Sequence, residues 1–265
     1  PVEAFYFKNH QEIYKAIIFM YENKVSIDVL TLTTFLQEKG LLQKIGGISL
    51  LEKKIKICKS LKLGNVVVST NSKKMAKLSS NAGAEIPFLR PKKYSSAKAS
   101  TASTVLHYLR FLKKNNKEIP DYIAILPVTN PFLEKKSIVQ AYKKIIKNKN
   151  VNSIIAYTEA SDHPFTFVNL KKKILFNIFK YKGSIYSDFE RTQDWPKAYI
   201  GSAALKITKS SYFLRYLKEQ SPLFNIKTFD LKKTIGVKIS KKESFDINDK
   251  ADLLYADQFL NIKKK

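Results

Sequence analysis

The spacing of apolar residues changes near residue 50 of this 265-residue chain. Before that point apolar residues recur every three or four positions, which predicts helices. They are Ile13, Ala16, Ile17 and Met20, followed by Leu32, Phe35 and Leu36. Gly46-Gly47 ends the pattern, because paired glycines favour a break in regular structure. We therefore predict a small all-helical segment over residues 1–50.

Beyond residue 50, short apolar runs alternate with amphipathic helices. The runs Val66–Ser69, Tyr122–Val128 and Ser153–Tyr157 predict strands. The helix faces are formed by Ile55, Ile57, Cys58 and Leu61, by Val105, Leu106, Leu109 and Leu112, and by Ile138, Ala141, Tyr142, Ile145 and Ile146. This alternation predicts an α/β domain over residues 51–265, with a mostly parallel sheet and helices on both faces. Within it, the aromatic-rich stretch 157–240 predicts an irregular insertion that forms a lid or a dimer contact.

Composition excludes several classes of protein. No apolar run approaches the roughly 18 residues that a membrane span needs, and no signal peptide is visible, so we expect a cytoplasmic protein without a membrane partner. Cys58 is the only cysteine, which rules out a disulfide framework and a multi-cysteine metal site. The chain begins with Pro1 rather than Met, as expected of a fragment or a processed product.

The chain carries a formal net charge of +26. Of its 48 basic residues only Arg90, Arg110, Arg191 and Arg215 are arginines, whereas base readout and bidentate phosphate recognition favour arginine. We therefore favour the coding bias of an AT-rich genome as the origin of the lysines. A site adapted to anionic nucleotides and acidic sugars, and nucleic-acid binding, are the alternatives. Whatever its origin, such a field should speed the capture of anions at low salt.

Polar residues follow the predicted strands at several places. Arg90 stands in a turn bounded by two prolines, where it is either a ligand-binding cation at a strand's carboxyl end or a solvated loop arginine. The run Ser95–Thr104 precedes a helix, so it provides an N-cap, an anion- or ribose-facing helix start, or both. Thr129 and Asn130 occupy a Pro-bounded turn after the second strand.

Two further clusters lie nearer the end of the chain. The polar run Arg191–Pro196, with Tyr199 and Ser202 after it, suits an acidic, polyhydroxylated ligand, and a plain surface turn is the alternative. Asp246 and Asn248 are two residues apart, hence on the same side if a strand persists there, and their oxygens suit Mg²⁺. The alternative for these two residues is a turn that caps the last helix.

Five segments, in this order, resemble the CMP-sialic acid synthetase family, the cytidylyltransferases that make CMP-activated acyl sugars. The segments are Val66–Asn71, Ile86–Pro91, Leu126–Phe132, Arg191–Pro196 and Phe245–Leu253. The resemblance implies a Rossmann-like nucleotidyltransferase sheet. It also implies transfer of CMP from CTP to an acidic acyl sugar, a sialic acid-like nonulosonic acid, with release of pyrophosphate.

The resemblance also implies roles for individual residues. Cytidine binding would fall to Arg90, Ser95, Ser96, Ser100 and Ser103, and sugar binding to Thr129, Asn130, Arg191, Gln193, Tyr199 and Ser202. Asp246, with Asn248 beside it, would hold Mg²⁺, and Asp246 and Arg90 would be the catalytic pair. The expected partners are CTP, an acidic sugar and a second copy of the chain that docks through residues 157–240.

Two departures from the family pattern affect activity. The family begins with a strand and a phosphate loop of the type Ala-Arg-x-Gly-Ser-Lys, and nothing like this loop occurs in the chain. Asn248 also stands where the family has an aspartate. We therefore expect the chain by itself to turn over CTP poorly or not at all. The two strands beside the missing one would lack a hydrogen-bond partner, unless another strand fills the gap or the sheet is rearranged.

The first 50 residues resemble a different family, the N-terminal domain of DnaB-type replicative DNA helicases. The resemblance rests on Phe5-Tyr6, His10, Ile13-Tyr14, Ile27-Asp28, Leu30-Thr31-Leu32, Gly40-Leu41-Leu42 and Gly46-Gly47. It implies contact with a helicase or primase. No Gly-rich loop ending in Gly-Lys-Ser/Thr occurs, which excludes helicase activity. The alternative function is thus a non-catalytic, helicase- or primase-interacting module of DNA replication. The junction near residues 46–51 is either natural or a product of recombination or assembly.

Overall fold

The computed structural model describes residues 44–45, 48–96, 99–171, 174–177, 179–180, 182, 184, 188–219, 221 and 226–262. The helices predicted in the first 43 residues lie outside this range. Helices are α1 (Leu50–Leu61), α2 (Lys73–Asn81), α3 (Thr101–Lys114), α4 (Lys135–Lys147), α5 (Ser210–Leu214), α6 (Lys241–Ser244) and α7 (Lys250–Ile262). Strands are β1 (Lys44–Ile45), β2 (Ile48–Ser49), β3 (Tyr122–Ile125), β4 (Ser153–Glu159), β5 (Val168–Lys171), β6 (Ile174–Asn177), β7 (Tyr199–Lys209) and β8 (Thr234–Lys238).

The main sheet has four strands in the order β3-β7-β4-β8. β7 runs antiparallel to both β3 and β4, and β4 is parallel to β8, so three strands share one direction and β7 opposes them. The predicted α/β class is confirmed, and so are the helices predicted around Ile57, Leu109 and Ala141.

The stretch 157–240 differs from the prediction, because it supplies β7 and β8 to the main sheet. Only part of it departs from the sheet, as the separate hairpin β5-β6. The carboxyl-terminal half of β7 is buried on both faces at Ala204, Leu205 and Ile207. A strand covered on both sides has no polar–apolar alternation, so its sequence does not stand out as a half-buried strand would.

Helices cover both faces of the sheet. On one face α3 and α5 pack through Leu106, Leu109 and Phe213, with Ile123 and Ile125 of β3 beneath them. On the other face α4 packs on the sheet in a second cluster, which also takes in Ile57 and Leu61 of α1 and Tyr122 of β3. The fully buried members of that cluster are Leu133, Ile138, Ala141, Ile145, Ile154, Ala156, Ala204, Leu205, Ile207, Val237 and Ile239.

The edge of the sheet at β3 is open. In the described part of the chain β3 pairs with β7 alone. The predicted strand Val66–Ser69 makes only two isolated parallel bridges, Val67 to Glu85 and Thr70 to Leu89. α1 packs on Val66 and Val68 as well as near β3, and α3 contacts both Phe88 and β3. The two extended segments thus lie under the same two helices, but no ladder joins them, and no strand among the described residues fills the gap.

Candidate active site

Arg90 is held at the end of the extended segment that begins at Val66. Its backbone N–H donates to the Thr70 carbonyl at 2.7 Å, and its Nε donates to Ser95 Oγ at 3.3 Å. Ser95 in turn donates to the Pro91 carbonyl at 3.1 Å. Burial lowers the pKa of the Arg90 guanidinium. The predicted pair Arg90 and Ser95 therefore forms one unit, whereas Ser96 beside it is exposed.

The serines at the start of α3 cap the helix. Ser100 Oγ accepts from the Ser103 N–H at 3.1 Å, and Ser103 Oγ donates to the Ser100 carbonyl at 2.7 Å. Ser103 is 2% exposed. The N-cap alternative is thus present in the structure, and the Ser103 hydroxyl faces the protein interior rather than solvent. Any contact with an anion would have to come from the helix start as a whole.

The turn after β3 is joined to the segment that precedes α7. Asn130 is fully buried, and its Nδ2 donates to the Phe245 carbonyl at 3.0 Å. The Ile247 N–H donates to the Thr129 carbonyl at 2.9 Å. These two bonds bring Thr129 and Asn130, which share one sequence motif, beside Asp246, which belongs to another. Asn130 Oδ1 and Asp246 Oδ1 are both buried, and neither has a hydrogen-bond partner among the described residues.

Asp246 and Asn248 do not share the side of a strand, because the segment is a turn. The Asn248 Nδ2 donates to the Asp246 carbonyl at 3.2 Å. The Asn248 N–H donates to Asp252 Oδ2 at 2.9 Å, and the Asp252 N–H donates to Asp249 Oδ1 at 2.9 Å. The alternative of a turn that caps the last helix is therefore correct. The strand-based argument for a paired metal site fails at Asn248, which is exposed.

The donor set around Asp246 still fits a hard cation. Two buried oxygens without partners, on Asp246 and Asn130, are of the kind that Mg²⁺ prefers. Among the described residues no group of three His, Cys, Asp or Glu side chains could hold a metal ion. Mg²⁺ commonly binds through one or two carboxylates together with water and substrate phosphates. A cation here would accordingly depend on its ligand for most of its coordination.

Lys54 belongs to this site although the sequence analysis did not single it out. Its side chain is buried, and its Nζ donates to the Asn130 carbonyl at 2.8 Å. Burial lowers its pKa from 10.5 to about 8, the Cys58 sulfur raises the pKa, and the neighbouring Lys53 lowers it. Lys54 lies three residues after Leu51 on the buried face of α1. Its place in that helical spacing was the signal that could have identified it.

The run Arg191–Pro196 forms a separate surface turn. Arg191 pairs with Asp194 through two bonds of 3.0 and 3.1 Å, and both Arg191 and Gln193 are exposed. Trp195 packs against His163 with ring centroids 4.9 Å apart, and its Nε1 is buried with no hydrogen-bond partner in the part of the chain that the structure describes. The described contacts of Arg191 and Gln193 stay within their own turn, so the structure does not join them to Asn130 or Asp246.

Tyr199 and Ser202 lie on β7. Tyr199 is 50% exposed and meets Tyr157 edge-on at 5.3 Å. Ser202 is buried opposite Ala156, beside a β-bulge, and its Oγ accepts from the Ala204 N–H at 3.2 Å. Tyr199 is thus open to a ligand, whereas the Ser202 hydroxyl is turned into the sheet.

Two family models match the chain. The model described as cytidylyltransferase matches residues 36–240, and the model described as DnaB-like helicase N-terminal domain matches residues 1–67. A probable replicative DNA helicase of Trieres chinensis is 64% identical over 50 residues, which are 19% of this chain and 11% of that protein. Pseudaminic acid cytidylyltransferase of Campylobacter jejuni subsp. jejuni is 29% identical over 153 residues, 56% of this chain and 62% of that protein.

A solved structure supports the fold. The structure of CMP:2-keto-3-deoxy-manno-octonic acid synthetase complexed with CTP matches with a TM-score of 0.56 at 10% identity, covering 84% of this chain and 92% of that one. The predicted Rossmann-like nucleotidyltransferase fold is confirmed. The chain spans less than two thirds of the length of the curated relatives named above, 11% and 62%. In the part of the chain that the structure describes, every helix is too short or too polar to traverse a lipid bilayer.

Proposed function

The chain belongs to the cytidylyltransferase family, and from that premise we propose that it transfers CMP from CTP to an acidic acyl sugar, with release of pyrophosphate. The observation that carries the proposal is the junction of the turn after β3 with the segment before α7, where Asn130 and Asp246 present buried oxygens without partners. The similarity to a pseudaminic acid cytidylyltransferase supports a nonulosonic acid as the sugar.

The proposed reaction makes defined demands on these residues. A hydroxyl oxygen of the sugar attacks the α-phosphorus of CTP and gives up its proton to solvent. The bond between the α-phosphorus and the oxygen that bridges to the β-phosphate breaks, and pyrophosphate leaves. Arg90, fixed by Ser95 and the Thr70 carbonyl, would offset negative charge on the nucleotide. Asp246 and the Asn130 amide oxygen would hold Mg²⁺, which when bound neutralises phosphate charge. Thr129 and Tyr199 would line the sugar side, and we expect Arg191 and Gln193 to reach it only after their turn has moved.

The missing phosphate loop limits the proposed activity. No Ala-Arg-x-Gly-Ser-Lys segment occurs in the chain, so a polyphosphate must be held by other groups. Preorganised cations around transferring phosphates are usually among the largest contributions to catalysis. We therefore expect turnover well below that of an enzyme with the complete loop.

Pyrophosphate release tests this function. The full chain is incubated with CTP, Mg²⁺ and a panel of nonulosonic acids and Kdo, and pyrophosphate is measured with a coupled assay. We expect slow, sugar-dependent release from CTP that falls about 10²-fold in Asp246→Asn, because a charge on the metal-binding group is lost. Asp257→Asn on α7 is the matched control. The proposal would be refuted if no sugar of the panel gave pyrophosphate release, or if Asp246→Asn and Asp257→Asn released pyrophosphate at equal rates.

A second candidate function rests on the first 67 residues, which match the DnaB-like helicase N-terminal domain. On this alternative the chain docks a replicative helicase or primase and performs no chemistry. Sedimentation velocity of the full chain mixed with a replicative helicase and with a primase tests it, and absence of a faster-sedimenting species rules it out. The same run on the chain alone tests the homodimer expected through residues 157–240. The cytoplasmic location expected from the sequence remains part of both proposals.

A further inference from the structure

Two lysine side chains lie over the ring of Phe132, and a third reaches the carbonyl of Asn130, two residues before Phe132. The Nζ of Lys53 lies 5.8 Å from the centroid of the Phe132 ring, and the Nζ of Lys242 lies 5.6 Å from the same centroid. Lys54, next to Lys53 on α1, donates to the Asn130 carbonyl at 2.8 Å. We call Lys53, Lys54 and Lys242 the lysine cluster. It comes from α1 and α6, two helices that are far apart in the sequence.

The members of the lysine cluster form no ion pair with a carboxylate in the described part of the chain. The acidic neighbour Glu52 pairs with Lys56 at 2.6 Å. Glu243, next to Lys242, accepts hydrogen bonds from Ser137, Ser240 and the Glu134 N–H instead.

The electrostatics of the cluster favour an anion. Burial and the charge of Lys242 both lower the pKa of Lys53. Like charges held together in a partly buried site destabilise each other, and an anion between them removes that repulsion. The ring of Phe132 offers only its weakly negative face. Each ammonium has three donors, and the described structure gives Lys54 a single acceptor.

We propose that the lysine cluster binds a polyphosphate. The inference rests on the proposed function, because Lys54 binds the Asn130 carbonyl and Asn130 in turn binds the segment that contains Asp246, where a nucleotide's phosphates would lie. Lys53 and Lys242 would bind phosphate oxygens directly. Lys54 would add charge beneath them while it holds the Asn130 carbonyl. The cluster would thereby supply, from two helices, cations that the missing phosphate loop does not provide.

Isothermal titration with inorganic tripolyphosphate and pyrophosphate tests the proposal without any need for turnover. We expect the double variant Lys53→Met/Lys242→Met to bind tripolyphosphate about tenfold or more weakly than the wild-type chain, since two charge-assisted contacts are lost. The matched control is Lys135→Met/Lys143→Met, which removes two exposed lysines from α4 and the same net charge. Wild-type affinity in the first variant, or equal losses in both, would overturn the proposal.

A second measurement on the wild-type chain covers the case in which a variant fails to fold. Amine acylation followed by mass spectrometry should show that tripolyphosphate protects Lys53 and Lys242 but not Lys135 and Lys143. Uniform protection, or none, counts against the cluster. The result is separable from that of the proposed function. Tripolyphosphate binding through the cluster without pyrophosphate release refutes only the function, and turnover with an unchanged KM for CTP in the double variant refutes only the cluster.

Discussion

Lys54 and Glu243 are both buried charged side chains that contact the segment between β3 and α4, and their surroundings differ. Glu243 accepts from Ser137 Oγ at 2.5 Å and from the Ser240 N–H at 3.0 Å. Burial alone would raise its pKa, but these hydrogen bonds leave the pKa below its ordinary value. Lys54 has one acceptor, the Asn130 carbonyl. Its charge is therefore poorly compensated, which is unusual for a residue that serves stability alone.

The poorly compensated charge of Lys54 should affect how the stability of the protein depends on pH, and the Lys54→Met variant tests this. The folded-state pKa of Lys54 is about 8, below the value of 10.5 expected in the unfolded chain. Between these values the unfolded state binds more protons, so stability rises with pH in the wild type. Below both pKa values, keeping Lys54 protonated in the folded state lowers the free energy of unfolding by about 3 kcal/mol. In the variant this rise should be absent.

Urea denaturation between pH 7 and pH 10.5 measures the effect as the difference between the two proteins. At pH 7 the variant gains stability because the buried charge of Lys54 is removed, and it loses about 1–3 kcal/mol because the hydrogen bond to the Asn130 carbonyl is lost. Its free energy of unfolding should therefore be close to or above that of the wild type. Lys77→Met, an exposed lysine on α2, is the control and should track the wild type. If the free energy of unfolding changed with pH in the same way in Lys54→Met and the wild type, the inference that the Lys54 charge is buried and poorly compensated would be wrong.

Among elements, β3 is one of the two edge strands of the main sheet, together with β8. β4 has partners on both sides, whereas β3 pairs only with β7 in the described structure. Within the described ranges, the extended residues around Val67 and Ser69 on the other side of the gap make only isolated bridges, and the buried Ser69 Oγ has no hydrogen-bond partner. Unpaired backbone groups that are partly buried are costly, at about 1–3 kcal/mol each. The open edge is thus a local weakness next to the candidate active site.

Hydrogen exchange should report this weakness. We expect the backbone amides of β3 that face away from β7 to exchange faster than those of β4, by a factor of at least about 10, because they lack an interstrand acceptor. Mass spectrometry of peptides that cover Tyr122–Ile125 and Ser153–Glu159 makes the comparison within one sample. Equal protection of the two strands would show that another strand, from this chain or a second copy, completes the sheet.

At the scale of the whole molecule, the net charge of +26 acts on every anionic ligand. Long-range attraction of this kind raises association rates and is screened by salt, with a Debye length of about 10 Å at 0.1 M. We expect the association rate of CTP to fall several-fold between about 20 and 500 mM salt. Uncharged cytidine is the control and should show little change. Stopped-flow fluorescence of Trp195, the single tryptophan, measures the association rates of CTP and of cytidine. An equal dependence of the two rates on salt concentration would contradict electrostatic steering by the net charge.

The candidate site shows which functional residues sequence motifs can predict and which they cannot. Asn130 and Asp246 are 116 positions apart. The sequence predicts Asn130 near a ligand because it follows a predicted strand, and Asp246 because its oxygen and that of Asn248 suit Mg²⁺. Asn248 departs from its prediction because backbone hydrogen bonds to Asp252 make a turn where a strand was assumed. Lys53 and Lys242 carried no signal as a pair, since charged residues are common on helices and only packing brings these two to Phe132.

The sequence alone determined the α/β class, the positions of the main helices, and the two family resemblances. These features depend on the local spacing of apolar residues and on the order of short motifs, both of which can be read directly from the amino-acid sequence. Tertiary structure decided which polar residues meet, that β7 lies inside the sheet, and that the edge at β3 stays unpaired in the described residues. Those features arise from pairing and burial between residues far apart in the chain, and such contacts leave no periodic trace in the sequence of either partner.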